Sequence, residues 1–422
     1  MDIQVSAFGA IVALVIAIIL ILKKVSPAYG MITGALIGGL VGGVDITNTV
    51  ALMMEGAQGI IPAVLRILAA GILAGVLIES GAAGVIAETI VKKVGETRAL
   101  LALAIATMIL TTVGVFVDVA VITVSPIALA IASRAGISKT AILLAMIGGG
   151  KAGNIMSPNP NAIAASDAFG IPLTTVMAAG VIPALFGLAV TYIIAKKLTD
   201  KGTKVSLHDH ETIAPGNLPV FWAAIIAPLV TIILLALRPL FNINIDPMIA
   251  LPAGGIAGAL LMGKGHQLNE FAASGLNKMT GVAIMLLGTG TLAGIIANSG
   301  LKDVVINSLD MMGLPAFVLA PASGIFMSAA TASTTAGTAV ASQVFSATIL
   351  EMGVSALAGA AMVHAGATVL DHLPHGSFFH ATGGSVHMEI KERLKVIPYE
   401  TAVGLTLAII STLIFGVFKL FG

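Results

Sequence analysis

The sequence predicts an all-α integral membrane protein built from two inverted-topology repeats, each of about five spanning helices plus a re-entrant hairpin and a broken helix. Three observations lead there. Hydrophobic residues make up 57% of the chain and charged residues only 10%, with apolar runs of helix-spanning length from end to end, too little polar surface for a soluble core. The stretch LAAGILAGVLIESGAAGVIAETI at 68–90 returns as LGTGTLAGIIANSGLKDVVINSL at 287–309, with Gly71/Gly290, Gly75/Gly294, Ser80/Ser299 and Gly81/Gly300 in step. Lysine and arginine are spread unevenly over the connecting loops, as they are in chains with a fixed orientation in a bilayer.

In the first half, apolar runs and their polar boundaries place helices near 5–22, 28–44 and 59–79. The N-terminal run is read as a span and not as a signal peptide, because Asp2 replaces the usual basic flank and no small-residue cleavage pattern follows Lys23 and Lys24. Residues 98–133 carry Gly114, Asp118, Ser125 and Pro126 in their middle, so they form either two spans or a hairpin that returns to its starting side. Helices at 139–169 and 173–195 complete the unit. A polar stretch at 196–218 is the cytoplasmic linker between a first repeat, 1–195, and a second, 219–422. The second unit repeats the series at 219–237, 248–263, 279–299, a hairpin at 314–350, then 354–380 and 400–418.

Charge chooses between the two options for 98–133. If this stretch is a hairpin, Lys23, Lys24, Lys92, Lys93, Arg98, Arg134, Lys139 and the 196–204 cluster share one side, the cytoplasmic one. An odd number of crossings then inserts the second half upside down. Lys264, Lys278, Lys391, Arg393 and Lys395 fall inside, whereas only Arg238, Lys302 and Lys419 fall outside, and 304–389 contain no lysine or arginine. The expectation is a multi-pass protein of the cell membrane with both termini outside. With 48 glycines the helices can pack closely, which matters where lipid offers little hydrophobic drive. A net charge of +1 without a basic tract argues against nucleic acid, and the lack of cysteine excludes disulfides and thiolate metal sites.

Non-helical backbone at membrane depth is tolerated only inside protein or beside a watery cavity, so polar, Gly/Pro-rich interruptions locate the site. Four occur, at 111–126, 148–161, 328–342 and 364–380, two per repeat, and should meet near the midplane. Asp118 and Lys151 are the costly residues there. Asp118 is the candidate proton acceptor, and Lys151 either a counter-charge for a substrate carboxylate or a structural partner of Asp118. Asp371 and His372 are further proton-coupling candidates, since histidine exchanges a proton near neutral pH. Asn154, Ser157, Asn159 and Asn161 in the first half, and Ser328, Thr331, Ser333, Thr334 and Thr335 in the second, suit a polyhydroxylated carboxylate, although hydroxyls also bond their own helix. His364 and His375 join the substrate-binding set. Arg66, inside a span, either serves the site or snorkels to an interface. No cofactor is expected beyond a coupling ion, H+ or Na+.

Phe116-Val117-Asp118-Val119 resembles the aromatic-acidic segment of the gluconate permease family of the ion transporter superfamily, and Ser157-Pro158-Asn159-Pro160-Asn161-Ala162 resembles its proline-rich break. His372, Phe378 and residues 399–405 are similar too, so the resemblance covers most of the chain. It implies a secondary transporter that imports gluconate or a related sugar acid with protons by an elevator-like movement, in a homodimer. Where gluconate-type members have Pro-Pro-His-Pro-Gly-Pro this chain has the Ser-Pro-Asn-Pro-Asn-Ala run, and His375 stands where an acidic residue is expected. The alternatives are a sodium-coupled dicarboxylate or citrate carrier and an intramembrane metal-dependent enzyme using Asp371, His372 and His375.

Overall fold

The computed structural model describes residues 4–95, 98–205 and 218–420; residues 206–217, most of the expected linker, lie outside them. Among the described residues the chain is helical, without a named strand. Its first half runs α1 (Ala7–Leu22), α2 (Pro27–Val41), α3 (Ile46–Gly59), α4 (Ile61–Glu79), α5 (Ala82–Val94), α6 (Ala99–Thr112), α7 (Val117–Ala135), α8 (Lys139–Asn154), α9 (Pro160–Ala168), α10 (Leu173–Ala179) and α11 (Val181–Lys197). The second half runs α12 (Phe221–Ala224), α13 (Ile226–Phe241), α14 (Pro247–Leu261), α15 (Leu268–Ala297), α16 (Leu301–Met311), α17 (Leu319–Thr331), α18 (Thr334–Glu351), α19 (Ala356–Gly366), α20 (Ser377–Ser385) and α21 (Ile390–Ser411). Among the described residues six stretches are long and apolar enough to cross a membrane, including α4, α7, α15 and the α10–α11 pair. The all-α class and the apolar spans are as the sequence predicts.

The helix boundaries recur. A shift of 219 residues carries α1 onto α13 and the end of α6 onto the end of α17; from the start of α7 onward the shift is 217, which carries α9 onto α20. The two-residue difference falls in the turn between α6 and α7, which has four residues where the α17–α18 turn has two. Local chemistry recurs with the boundaries: Ser138 caps α8 by accepting from the Ala141 N–H, and Ser355 caps α19 by accepting from the Ala358 N–H. The α6 and α17 arms have 14 and 13 residues, about 20 Å of helix and too short to cross the hydrocarbon core alone.

Several boundaries differ from those expected. Residues 46–59, 82–94 and 301–311, not anticipated as helices, form α3, α5 and α16; their mixed polar faces hide them from a search for apolar runs. Asp45 fixes the start of α3 by accepting from the Thr47 and Asn48 N–H groups. Near Pro62 the chain breaks between α3 and α4, whereas the equivalent stretch without proline is one 30-residue helix, α15. Helix α21 starts ten residues before the expected 400, because the charges that suggested a loop include Arg393, which is buried and paired with Glu400.

Packing sorts the helices into two groups. Helices α1–α4 and α13–α15 pack on one another, as do α6–α11 with α17–α21, and the groups meet where α15 lies along α18, α4 against α9 and α1 against α17. The repeated glycines serve the first group. A Cβ on Gly275 would stand 1.8 Å from the Gly71 carbonyl oxygen, and one on Gly294 2.1 Å from that of Leu52, so α4, α15 and α3 touch backbone to backbone. The motif that betrays the duplication is thus a packing seam, away from the polar interruptions.

Candidate functional site

All four interruptions do meet. Gly114, at φ 104°, turns α6 into α7; Ala332, at φ 46°, turns α17 into α18, a left-handed conformation that costs a residue with a Cβ. In the α8–α9 break, Pro158 and Pro160 deny the helix its N–H donors, and Asn159 organises the gap. Its Oδ1 accepts from the N–H groups of Asn161 and Ala162, each at 3.0 Å, and its Nδ2 donates to the Asn154 carbonyl at 2.7 Å. The fourth break lies between α19 and α20.

These segments enclose a cavity of about 130 Å³. Phe116, Val117 and Asp118 line it from the first turn, Asn154 and Asn161 from the first break, Ala332, Ser333, Thr334 and Thr335 from the second turn, and Asp371, Ser377 and Phe378 from the second break. Four helices, α7, α9, α18 and α20, begin at this wall, each presenting a residue of its first turn. Helix N-termini carry partial positive charge and unpaired N–H groups, so their convergence makes an anion-favouring wall. The buried Oδ1 of Asn161 has no protein partner among the described residues.

The lining obeys the repeat. A shift of 217 pairs Phe116 with Ser333, Val117 with Thr334, Asp118 with Thr335, Asn154 with Asp371 and Asn161 with Phe378. Each repeat supplies one carboxylate, opposite a neutral polar residue in the other. Asp118 accepts from the Val119 N–H at 2.9 Å and makes no ion pair among the described residues. Asp371 is held on both sides, its Oδ2 accepting from the Thr334 hydroxyl and its Oδ1 from Lys151 Nζ at 2.6 Å.

Of the remaining candidates, Lys151 and His372 sit directly behind Asp371 and do not line the cavity. Lys151 is 1% exposed and donates to the Thr368 carbonyl at 2.7 Å, to Asp371 and toward His372 Nδ1 at 3.0 Å. Its partner is therefore Asp371, not Asp118. The residue paired with Lys151 by the 217 shift is Thr368, so that hydrogen bond joins equivalent positions of the two repeats. Asn159 is a cap. Ser157 and His364 are buried and do not line the cavity, each with a side-chain polar atom lacking a protein partner among the described residues. Ser328 and Thr331 donate to carbonyls of their own helix, Ile325 and Met327. His375 is exposed and bonds the Ala330 carbonyl at 3.3 Å.

Two further buried residues were not anticipated from the sequence. Glu400 lies 3.9 Å from His372 Nδ1 and is paired with Arg393, whose Nε donates to the Phe379 carbonyl at 3.2 Å and whose guanidinium covers the Phe379 ring. Their signal was spacing: 393, 397, 400 and 401 share one face of α21. Arg66 is no snorkelling side chain; it bonds Asp167 of α9 and Asp246 at the start of α14, beside a separate cavity of about 230 Å³.

A sequence model of the GntP family permease matches residues 3–253, more than half of the chain, and one of the Na+-H+ antiporter family matches 222–312. An uncharacterized transporter of Haemophilus influenzae is 72% identical over 415 residues, covering 98% of this chain and 99% of its own. The high-affinity gluconate transporter of Escherichia coli is 23% identical over 88% of this chain and 90% of its own, and a gluconate permease of Pseudomonas aeruginosa 26% identical over 54% and 53%. Among solved structures, the Alcanivorax borkumensis YdaH transporter, described as having an unusual topology, superposes with a TM-score of 0.64 at 17% identity over 88% of each chain.

Proposed function

The chain belongs to the GntP permease family, and from that premise we propose that it is a secondary transporter carrying gluconate or a related hydroxycarboxylate across the cell membrane by proton symport. The family is one of multi-pass membrane transporters, so the metal-dependent enzyme alternative is set aside. One observation carries the reading: four helix N-termini converge on a cavity whose wall combines hydroxyl and amide groups with a carboxylate, Asp118, that has no cation beside it among the described residues. N-termini and polar side chains suit a hydroxylated anion. An uncompensated carboxylate at membrane depth is most easily kept when it carries a proton, which makes Asp118 the proton carrier in this reading.

Movement of one helix group against the other would expose the cavity to each side in turn. The halves 1–195 and 219–422 are read as oppositely inserted, supported by their matching helix series and by the lysine and arginine distribution. A homodimer belongs to the same reading, and the mass of the particle in nanodiscs tests it.

Proteoliposomes with separately imposed proton and sodium gradients test the transport reaction. D-gluconate should accumulate under an inward proton gradient, and Asp118→Asn should abolish accumulation while retaining gluconate exchange. Full pH-dependent accumulation by that variant would remove Asp118 from the mechanism. A second reading, sodium coupling, is favoured by the match to the Na+-H+ antiporter family and by Ser333, Thr334 and Thr335 at the cavity. Accumulation driven by sodium alone would decide for it.

A further inference from the structure

Behind the cavity a chain of buried charge runs from Asp371 through Lys151 and His372 to Glu400 and Arg393, and all five residues are 4% exposed or less. Burying so many ionisable groups is costly, and a merely stabilising role is better filled by apolar side chains, so the cluster calls for a function. The groups facing His372 are Asp371 beside it in the chain, Lys151 from α8, and Glu400, backed by Arg393, from α21. Two acids and two bases sum to zero when His372 is neutral.

His372 Nδ1 faces two groups at 3.0 Å, Lys151 Nζ, which can only donate to it, and Asp371 Oδ1, which can only accept from it; in the neutral cluster with the Lys151 bond made, the ring proton sits on Nε2. Nε2 then donates to the Ile397 carbonyl at 3.2 Å and the Thr401 hydroxyl at 3.1 Å, both on α21. A proton arriving at Nδ1 turns the Lys151 N–H away and leaves an imidazolium between Asp371 Oδ1 at 3.0 Å and Glu400 Oε2 at 3.9 Å. The cluster then carries one net positive charge against the wall of the cavity.

We propose that Glu400, held by Arg393, is a positioning residue for the coupling proton: it keeps the buried cluster neutral at rest, so that a carboxylate substrate enters the cavity favourably only when His372 has gained a proton. Proton and anion each lower the cost of the other, a reciprocal coupling that needs no contact between substrate and Glu400. This rests on the proton-symport reading above, in which Asp118 takes up the proton at the cavity wall, and adds that His372 holds that same proton behind the wall while the substrate is bound.

The rule predicts signs that packing alone does not. Glu400→Gln leaves Arg393 uncompensated, so the cluster is positive without a proton. Arg393→Gln makes it negative, and the double variant Arg393→Gln with Glu400→Gln is neutral again. The test is the KM for D-gluconate uptake into proteoliposomes at pH 6 and pH 8, with proton flux followed by a trapped dye and folding checked by melting temperature. One-proton coupling in the wild type changes KM by up to about tenfold per pH unit. In Glu400→Gln that dependence should collapse to about twofold over the whole range with loss of proton flux, and Arg393→Gln should raise KM at pH 8. The double variant should regain the wild-type dependence, and since it leaves no unpaired charge it reports even if Glu400→Gln fails to fold. Wild-type pH dependence in folded Glu400→Gln, or its absence in the double variant, overturns the inference while the symport reading stands. A wild type that moves no proton with gluconate overturns both.

Discussion

Asp118 and Asp371 occupy the same wall, one carboxylate from each repeat, yet their surroundings differ completely. Among the described residues Asp118 has a backbone N–H and the cavity, whereas Asp371 has a buried ammonium and a threonine hydroxyl. The difference follows from the repeat itself, because Lys151 replaces what is Thr368 in the other copy, and one basic residue can neutralise only one of the two acids. Lys151→Met should therefore leave Asp371 buried without its cation and cost about 3–5 kcal/mol, whereas Lys151→Met with Asp371→Asn should recover most of it. Thermal unfolding in detergent checks this, and equal losses in single and double variants would mean that the two do not act as a pair. Asp118, Asn154, Asn161, Ser333, Thr334, Thr335 and Asp371 could be read from the sequence because polar residues beside Gly or Pro in an apolar run are costly in lipid unless they face a sheltered cavity. Lys151's true partner could not, since partner choice depends on which segments cross.

Helices in this protein are positioned by how they start. The four that begin at the cavity do so at breaks made by proline, glycine or a left-handed turn, and two are capped by a side chain, α9 by Asn159 and α18 by Ser333. Asn159 also anchors Asn154, so it holds two lining residues at once. Asn159→Ala should cost about 1–2 kcal/mol in stability and, on the proposed function, weaken gluconate binding several-fold. Ser138→Ala, which removes a comparable cap from the far end of α8, should cost similar stability and leave binding intact, and isothermal titration on the two variants separates these effects. The seam between α4 and α15 has its own test. Gly275→Ala places a Cβ against the Gly71 carbonyl and should destabilise by about 1–3 kcal/mol, seen as a lower melting temperature. Helix starts of this kind are legible in sequence; α3, α5 and α16 were not, because an amphipathic helix without a long apolar run looks like a loop until its neighbour is known.

The two helix groups do not meet symmetrically. Helix α15 lies along α18, but its counterpart α4 rests on α9, where Arg66 ties Asp167 to Asp246. On the proposed transport function, these unequal contacts between equivalent elements are one position of a two-position device, and exchanging the contacts of the two repeats would give the other. The proposed opposite insertion of the halves is open to a direct measurement, because the chain has no cysteine of its own. Single cysteines placed at Lys24, Lys201 and Lys391 should react with a membrane-impermeant maleimide as one pattern of sidedness when Lys24, Lys201 and Lys391 are cytoplasmic, and Asn242 and Gly313 as the reverse. Labelling of Lys24 and Asn242 from the same side would exclude inversion.

What the amino-acid sequence settles here is whatever depends on composition and local rhythm. An apolar chain must be helical in lipid, a repeated run must be a repeated structure, and a polar interruption at membrane depth must be sheltered by protein. Which interruptions meet, and what stands behind them, only the folded chain decides. Asp371 could be found as a polar residue beside a break, but its ties to Lys151 from 220 residues away and, through His372, to Glu400 depend on how α8, α19 and α21 pack. Electrostatic energy falls with distance in space and is blind to distance along the chain, so the chemistry of a buried charge belongs to the fold.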